Sequence, residues 1–201
     1  DSYLALFKQK YVWLFFLGIF CYVSTEQGTS IFMSTFLEQY HGVNPQTDGA
    51  QAVSYFWGLM TAGCLVGMLL LKLIDSKRLL QISGVLTIVL LLSALFGSKG
   101  IALIAFPAVG FSISMMYSIV FSLALNSASQ HHGSFAGILC SAIVGGAGGP
   151  MIVSTIADAT SLRTGMLFIL VFVGYITFIG FWARPLINNK TVKLKKLFKK
   201  A

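Results

Sequence analysis

The residue best placed to do chemistry is Glu26, which lies near the middle of a long apolar stretch. No Lys or Arg within that stretch balances its charge. A charge at the centre of a bilayer costs about 3 kcal/mol or more, so this carboxyl must face a cavity, find a partner or carry a proton. Helical spacing surrounds it with a polar face that consists of Tyr22, Thr25, Thr29, Ser30 and Met33. The pattern favours a lining for a polar substrate or a protonatable site. The alternative is a protonated carboxyl that bonds to a neighbouring helix and fixes packing.

A second polar pattern lies in the fourth apolar stretch. Ser114, Ser118, Ser122 and Asn126 recur every four residues, and Tyr117 lies on an adjoining face. Ser and Asn can bond across membrane helices, at about 0.6 kcal/mol each, so interhelical bonding accounts for the serines. Tyr117 is better suited to a substrate, because its ring can stack on a sugar and its hydroxyl can form a hydrogen bond.

Small residues mark the fifth apolar stretch. Gly133, Gly137, Ser141, Gly145 and Gly149 fall every four residues, and the run 145–150 reads GGAGGP. Such a ridge lets another backbone approach closely, and Gly and Pro weaken a helix interior. We therefore predict close packing and a bending point at the following residues: Gly63, Gly137, Gly145, Gly146, Gly149 and Pro150. A phosphate-binding loop is excluded, because no strand precedes the run and no GK[ST] follows it.

Enzyme and metal motifs are absent from the sequence. His131 and His132 are adjacent, so they cannot present both rings to a metal from one helix face. The three cysteines, Cys21, Cys64 and Cys140, fall in apolar stretches without a CxxC pattern and are expected to be small core residues. We expect no enzyme activity, no metal and no cofactor.

The elements that position these residues are membrane helices. Hydrophobic residues make up 56% of the 201 residues and charged residues only 10%, whereas soluble domains carry about 25% charged residues. A membrane-spanning helix needs about 20 apolar residues. The sequence therefore predicts an all-α integral membrane protein with six transmembrane helices, at 11–37, 49–73, 79–97, 101–125, 134–157 and 162–183.

Basic residues predict the orientation of these helices. An even number of spans places twelve of the 14 Lys and Arg residues on one side, with only Lys99 and Arg163 on the other. By the positive-inside rule both termini are cytoplasmic. The predicted domains are a cytoplasmic segment 1–10, a membrane domain 11–184 and a basic cytoplasmic tail 185–201. The tail suits anionic lipid, with a protein partner as the alternative, and nothing suggests a nucleic-acid groove. Because the chain starts at Asp1 without a cleavage site, we expect a longer protein.

Four short motifs resemble one transporter family. They are YVSTE at 22–26, YFWG at 55–58, YSIVFSL at 117–123, and GGAGGP at 145–150 followed by IAD at 156–158. From residue 11 to 184 the chain resembles the C-terminal half of the fucose–galactose–glucose cation symporters of the major facilitator superfamily. The resemblance implies a six-helix half built as a three-plus-three inverted repeat.

The same resemblance implies a function. A twelve-helix protein of this kind carries a hexose or deoxyhexose with a cation, proton or sodium, by alternating access, in the bacterial inner membrane. The N-terminal half, which carries the family's main proton-coupling carboxylates, would complete the cavity as a partner. Substrate-binding candidates in this half are Glu26, Tyr117, Gln27, Tyr22, Trp57 and Asn126. One departure is Gly63-Cys64, where many members have Gly-Arg.

Other functions stay open at this stage. The chain could be a non-transporting six-helix scaffold in which the glycine ridges form permanent contacts. A major facilitator half could also carry another small solute. One intramembrane acidic residue and no intramembrane Arg argue against an organic anion, because nothing would balance its charge.

Overall fold

Helices form the whole framework of the computed structural model over the residues it describes, 2–187, and no strand occurs in that range. The predicted basic tail, 185–201, lies outside the described residues from position 188 onward. The helices are α1 (Ser2–Phe7), α2 (Lys10–His41), α3 (Ala50–Leu73), α4 (Ser76–Phe96), α5 (Lys99–Ile113), α6 (Met116–Leu125), α7 (His132–Ser141), α8 (Gly145–Ala159), α9 (Leu162–Leu167) and α10 (Ile169–Trp182). A π-helical turn, Pro45–Gly49, leads into α3, and a 3₁₀ turn, Ala142–Val144, joins α7 to α8.

Five helical segments in the described range are long and apolar enough to cross a membrane. They are Pro45–Leu73, Ser76–Phe96, Lys99–Leu125, His132–Ala159 and Leu162–Trp182. The protein is therefore an all-helical integral membrane protein. The long helix α2 is not one of the five, because polar residues in its middle, such as Glu26 and Gln27, lower its mean hydropathy.

Contacts between helix ends show that α9 and α10 run in the direction opposite to α2 and α4. Arg163, just inside α9, lies against Tyr40 at the end of α2 and Phe96 at the end of α4. At the opposite end of the bundle, Gln81 near the start of α4 donates a 2.8 Å hydrogen bond to the carbonyl of Gly180 in α10. These directions are expected, because the short connections in a helix bundle join antiparallel neighbours.

The packing core lies along α2. This helix contacts α6, α8 and α10, while α3 packs mainly on α5. Five of the fully buried side chains are phenylalanines, namely Phe15, Phe36, Phe56, Phe106 and Phe135. The predicted N-terminal segment 1–10 contains the short helix α1, which contacts α2 and α7.

Two helix interruptions differ from the sequence prediction. The predicted fourth span is broken at Ser114 and Met115, between α5 and α6. In the fifth span, the run from Gly145 to Pro150 stays helical, and the distortion is the 3₁₀ turn that precedes it. Pro150 lies inside α8 and lacks the backbone hydrogen bond to the carbonyl four residues earlier, and the predicted bending point at 145–150 stays a prediction.

Candidate functional site

An open pocket of about 420 Å³ lies where α2, α3 and α6 meet. Its lining residues are Tyr22, Val23, Glu26, Gln27, Met60, Cys64, Ser114, Tyr117, Ser118 and Ile143. Four of the six sequence-predicted binding residues therefore share one cavity: Tyr22, Glu26, Gln27 and Tyr117. None of the described lining residues is basic, so the pocket offers no positive side chain to an anion.

The carboxyl group of Glu26 is held from both sides by its own helix. The hydroxyl of Tyr22 donates a 2.6 Å hydrogen bond to Oε2, and the side-chain amide of Gln27 donates a 3.2 Å bond to Oε1. Tyr22 is buried, with 5% of its surface exposed, whereas Glu26 is half-buried. The carboxyl is thus oriented by a packed neighbour while it still faces the pocket.

Tyr117 supplies an aromatic ring to the pocket lining. The ring of Tyr117 lies 5.6 Å from that of Tyr22, between centroids, and stacks on Phe121 at 5.7 Å. Tyr117 is half-buried, and no hydrogen bond holds its hydroxyl within the described part of the chain. Both an apolar ring face and a hydroxyl group are available to a ligand.

The interruption between α5 and α6 lies at the pocket wall. The carbonyl of Phe111 accepts hydrogen bonds from the amide and the hydroxyl of Ser114, and the thiol of Cys64 lies 3.4 Å from the carbonyl of Ser114. Polar backbone groups freed inside a membrane must be satisfied by neighbours. Here the hydroxyl of Ser114 satisfies the carbonyl of Phe111, and the thiol of Cys64 satisfies the carbonyl of Ser114.

Two predicted glycines bring α8 against α2 beside the site. A side chain at Gly145 would collide with the backbone of Phe20, and one at Gly149 would collide with Ser24. The hydroxyl of Ser24 donates a 3.1 Å hydrogen bond to the carbonyl of Gly145. A side chain at Gly146 would lie tightly against Val23, at 3.2 Å, and at an ordinary packing distance of 3.6 Å from Gln27. The close approach fixes the helix that carries Glu26.

Gly63 makes a similar approach in α3, where an added side chain would collide with Ser114. Gly137 makes no such contact, because it is exposed and a side chain there would reach only the hydroxyl of Tyr3. The predicted ridge thus packs closely in α8 but not in α7.

Trp57 and Asn126 do not line the Glu26 pocket. Trp57 lies on an exposed face of α3, 39% exposed, with its ring edge against Phe56. Asn126 lies nine residues beyond Tyr117, about 13 Å further along the helix, and lines a separate pocket of about 410 Å³.

The polar residues beside Glu26 in sequence are mostly turned inward. Thr25 is fully buried and donates to the carbonyl of Cys21, and Ser30 donates to the carbonyl of Gln27. Thr29 is fully buried as well. These side chains belong to the packing face of α2 and not to the pocket.

Two lining residues, Met60 and Ile143, had no signal in the sequence prediction, whereas Cys64 was noted there as a departure from Gly-Arg. Cys64 was expected in the core and is half-buried at the pocket, while Cys140 is exposed and only Cys21 is buried. Helical spacing within one segment cannot reveal which faces of different segments meet. Among the described residues, no three His, Cys, Asp or Glu side chains lie close enough to hold a metal.

Comparison with known proteins identifies relatives of this chain. No protein-family model matches the chain. It is 35% identical, over 166 residues, to the glucose/galactose transporters of two Brucella abortus strains, biovar 1 strain 9-941 and strain 2308. Over this range the chain is a homologue of these glucose/galactose transporters. The match covers 82% of this chain and 40% of each relative. The chain thus spans about two fifths of the length of these relatives.

Two solved structures share the fold of this chain. A variant of the Escherichia coli fucose:proton symporter FucP superposes with a TM-score of 0.84 over 91% of this chain and 45% of FucP, at 18% identity. A second structure shows FucP, described as a major facilitator superfamily transporter, in the outward conformation. It superposes with a TM-score of 0.80 over 90% of this chain and 44% of that chain, at 17% identity. These likenesses establish the fold, and the relatives are transporters by name rather than enzymes.

Proposed function

We propose that this chain is the C-terminal half of a cation-coupled transporter for a neutral hexose or deoxyhexose of the glucose, galactose or fucose type. The observation that carries the proposal is the open pocket that both Glu26 and Tyr117 line. A carboxylate accepts hydrogen bonds from sugar hydroxyls, and an aromatic ring packs against the apolar face of a sugar ring. The family relationship supports the same substrate class.

The lining of the pocket argues against an anionic substrate. Glu26 is the one ionisable carboxyl of the pocket, and no basic side chain among the described lining residues accompanies it. An anionic ligand would meet an unbalanced like charge in a low-dielectric site, which is costly. A neutral sugar adds no charge. The coupling ion, proton or sodium, would be bound by the complete protein.

The transmembrane arrangement is part of this proposal. We assign α2 as a sixth span, since its 32 residues extend about 48 Å and it packs within the bundle against α6, α8 and α10. Six helices arranged as three plus three form one half of a major facilitator transporter. The second six-helix half, N-terminal in the complete protein, would close the cavity from the other side.

The basic residues indicate which end of the helix bundle faces the cytoplasm. Lys10, Lys72 and Lys77 flank the bundle end at which Gln81 meets Gly180, whereas Lys99 and Arg163 lie at the opposite end. The positive-inside rule makes the Lys-rich end cytoplasmic in a bacterial inner membrane. In this proposal the basic tail 185–201 contacts anionic lipid.

Uptake by the full-length protein tests the proposal. Cells that lack hexose transport are given radiolabelled glucose, galactose or L-fucose, with and without proton and sodium gradients. We expect gradient-dependent accumulation of at least one of these sugars, several-fold above cells with an empty vector. Correct membrane insertion without any accumulation would rule out sugar transport.

A further inference from the structure

A second polar pocket lies at the end of α6, next to the turn between α3 and α4. Its volume is about 410 Å³, close to that of the Glu26 pocket. The lining residues are Leu71, Asp75, Ser76, Ser118, Ile119, Ser122, Leu123, Asn126, Pro185 and Ile187. This pocket is therefore built from α3, α4, α6 and the segment after α10.

The polar groups of this pocket are free to bind a ligand. Serines in helices commonly donate to the carbonyl four residues earlier, as Ser127 does to Leu123. Within the described part of the chain, the hydroxyls of Ser118 and Ser122 and the side-chain amide of Asn126 have no hydrogen-bond partner. Three neighbouring polar groups on one helix face are thus left for an occupant.

The remaining lining sets the chemical class of that occupant. Asp75 uses Oδ2 to cap α4 through the amide of Lys77, at 3.1 Å, and contributes a carboxylate to the pocket. Leu71, Ile119 and Pro185 supply apolar surface. No basic side chain occurs among the described lining residues. Hydroxyl, amide and carboxylate groups beside apolar walls suit a neutral polyhydroxylated molecule.

Ser118 connects the two pockets, because it lines both. Ser122 follows one turn later, about 6 Å along the helix, and Asn126 one turn beyond. The far wall is fixed by the backbone amide of Leu186, which donates a 2.7 Å hydrogen bond to the carbonyl of Asn126. A row of polar groups thus leads from the Glu26 pocket to the end of the bundle.

We infer that this pocket is a second binding station for the same neutral sugar, on the path between the Glu26 pocket and the Lys-rich side of the membrane. The inference rests on the proposed transport of a hexose. The substrate passes from Tyr117 to Ser118 and Ser122 and then to Asn126 and Asp75 before release.

Site-specific labelling of the full-length protein tests the station directly. Ser122→Cys is made in the otherwise native protein and in Tyr117→Ala, and N-ethylmaleimide labelling of residue 122 is read by mass spectrometry. The probe is whichever of glucose, galactose or L-fucose the native protein accumulates. We expect saturating sugar to slow labelling at least three-fold in both backgrounds. Ser129→Cys, an exposed position beyond the end of α6, should label at the same rate with and without sugar.

The outcomes separate this inference from the proposed function. If the native protein takes up no hexose, the proposed transport function is ruled out before any cysteine is introduced. If the native protein takes up hexose but sugar does not slow the labelling of residue 122, only the second station is overturned. The same holds if sugar slows the labelling in the native background but not in Tyr117→Ala. If Ser122→Cys fails to insert, Asp75→Asn with Asn126→Ala is used instead, since Asn still caps a helix. That variant should slow sugar exit from preloaded cells at least three-fold, and unchanged exit would overturn the inference.

Discussion

The hydroxyl of Tyr22 lies 2.6 Å from Oε2 of Glu26, one turn away on the same helix. Tyr22 is buried against the bundle, while Glu26 is half-exposed to the pocket. The amide of Gln27 holds the other carboxyl oxygen at 3.2 Å. The carboxyl group is therefore oriented before any ligand arrives, which lowers the entropy lost on binding.

Replacement of Glu26 by Gln tests the charge of this group. The variant keeps the size of the side chain but loses the ionised acceptor, and hydrogen bonds to charged groups contribute about 1.5–3 kcal/mol. We expect initial uptake of the transported sugar by the full-length protein to fall about ten-fold or more. Glu38→Gln, at an exposed position on the same helix, should leave uptake unchanged. Equal uptake by both variants would exclude Glu26 from substrate binding.

The ring and the hydroxyl of Tyr117 make separable contributions. Tyr117→Phe retains the stacking surface beside Tyr22 and Phe121 and loses only the hydroxyl. A hydrogen bond from this hydroxyl to the sugar would contribute about 1 kcal/mol. Tyr117→Ala loses the ring as well. In equilibrium binding of radiolabelled sugar to the purified full-length protein, we expect Kd to rise about five-fold for Phe and at least twenty-fold for Ala. Identical values for the two variants would show that the ring does not contact the sugar.

The contact between Gly149 and Ser24 predicts opposite effects of alanine at two helix glycines. An added methyl group at Gly149 would collide with Ser24 and displace α2, at an overpacking cost of about 1–3 kcal/mol. A methyl group at Gly133 meets no atom within 4 Å, so alanine there improves helix propensity by up to about 1 kcal/mol. Thermal unfolding in detergent, followed by tryptophan fluorescence, should show a lower Tm for Gly149→Ala and an unchanged or higher Tm for Gly133→Ala. A Tm for Gly149→Ala at or above the native value would contradict the tight contact.

Much of the fold could be predicted because apolar length and short turns dominate a membrane bundle. The turn between α2 and α3 begins at Asn44-Pro45, a dipeptide typical of turns, and the side chain of Asn44 accepts a 2.9 Å hydrogen bond from the amide of Gln46. The break at Ser114 was missed, since no Gly or Pro marks it. At the break Gly63 lets α3 come against Ser114, and the thiol of Cys64 lies 3.4 Å from the carbonyl of Ser114.

The candidate site was predictable only within single helices. Four-residue spacing correctly paired Tyr22 with Glu26, and it placed Ser118 and Ser122 on one face. It could not separate Thr25, which turns into the core, from its neighbour Glu26. Nor could it show that Asn126 and Tyr117 open into different pockets, because this depends on where α3, α4 and α6 meet.

Arg163 provides a stability prediction away from the pocket. Its guanidinium carbon lies 4.4 Å from the ring centroid of Tyr40, 5.5 Å from that of Phe96 and 5.8 Å from that of Phe36. These rings belong to α2 and α4, so one side chain ties the start of α9 to the ends of two other helices. Cation–π contacts contribute about 0.5–2 kcal/mol, depending on how far the cation is desolvated.

Arg163→Ala should therefore lower the Tm of the detergent-solubilised protein by several degrees. Arg163→Lys should recover part of the loss, because an ammonium group keeps the charge but not the planar stacking of guanidinium on Tyr40. Lys99→Ala removes a charge at the same end of the bundle from an exposed position and should leave the Tm unchanged. Since Arg163 lies far from Glu26 along the bundle, sugar Kd should stay constant in all three variants. An equal loss of Tm in Arg163→Ala and Lys99→Ala would instead assign the effect to net charge and not to the aromatic contacts.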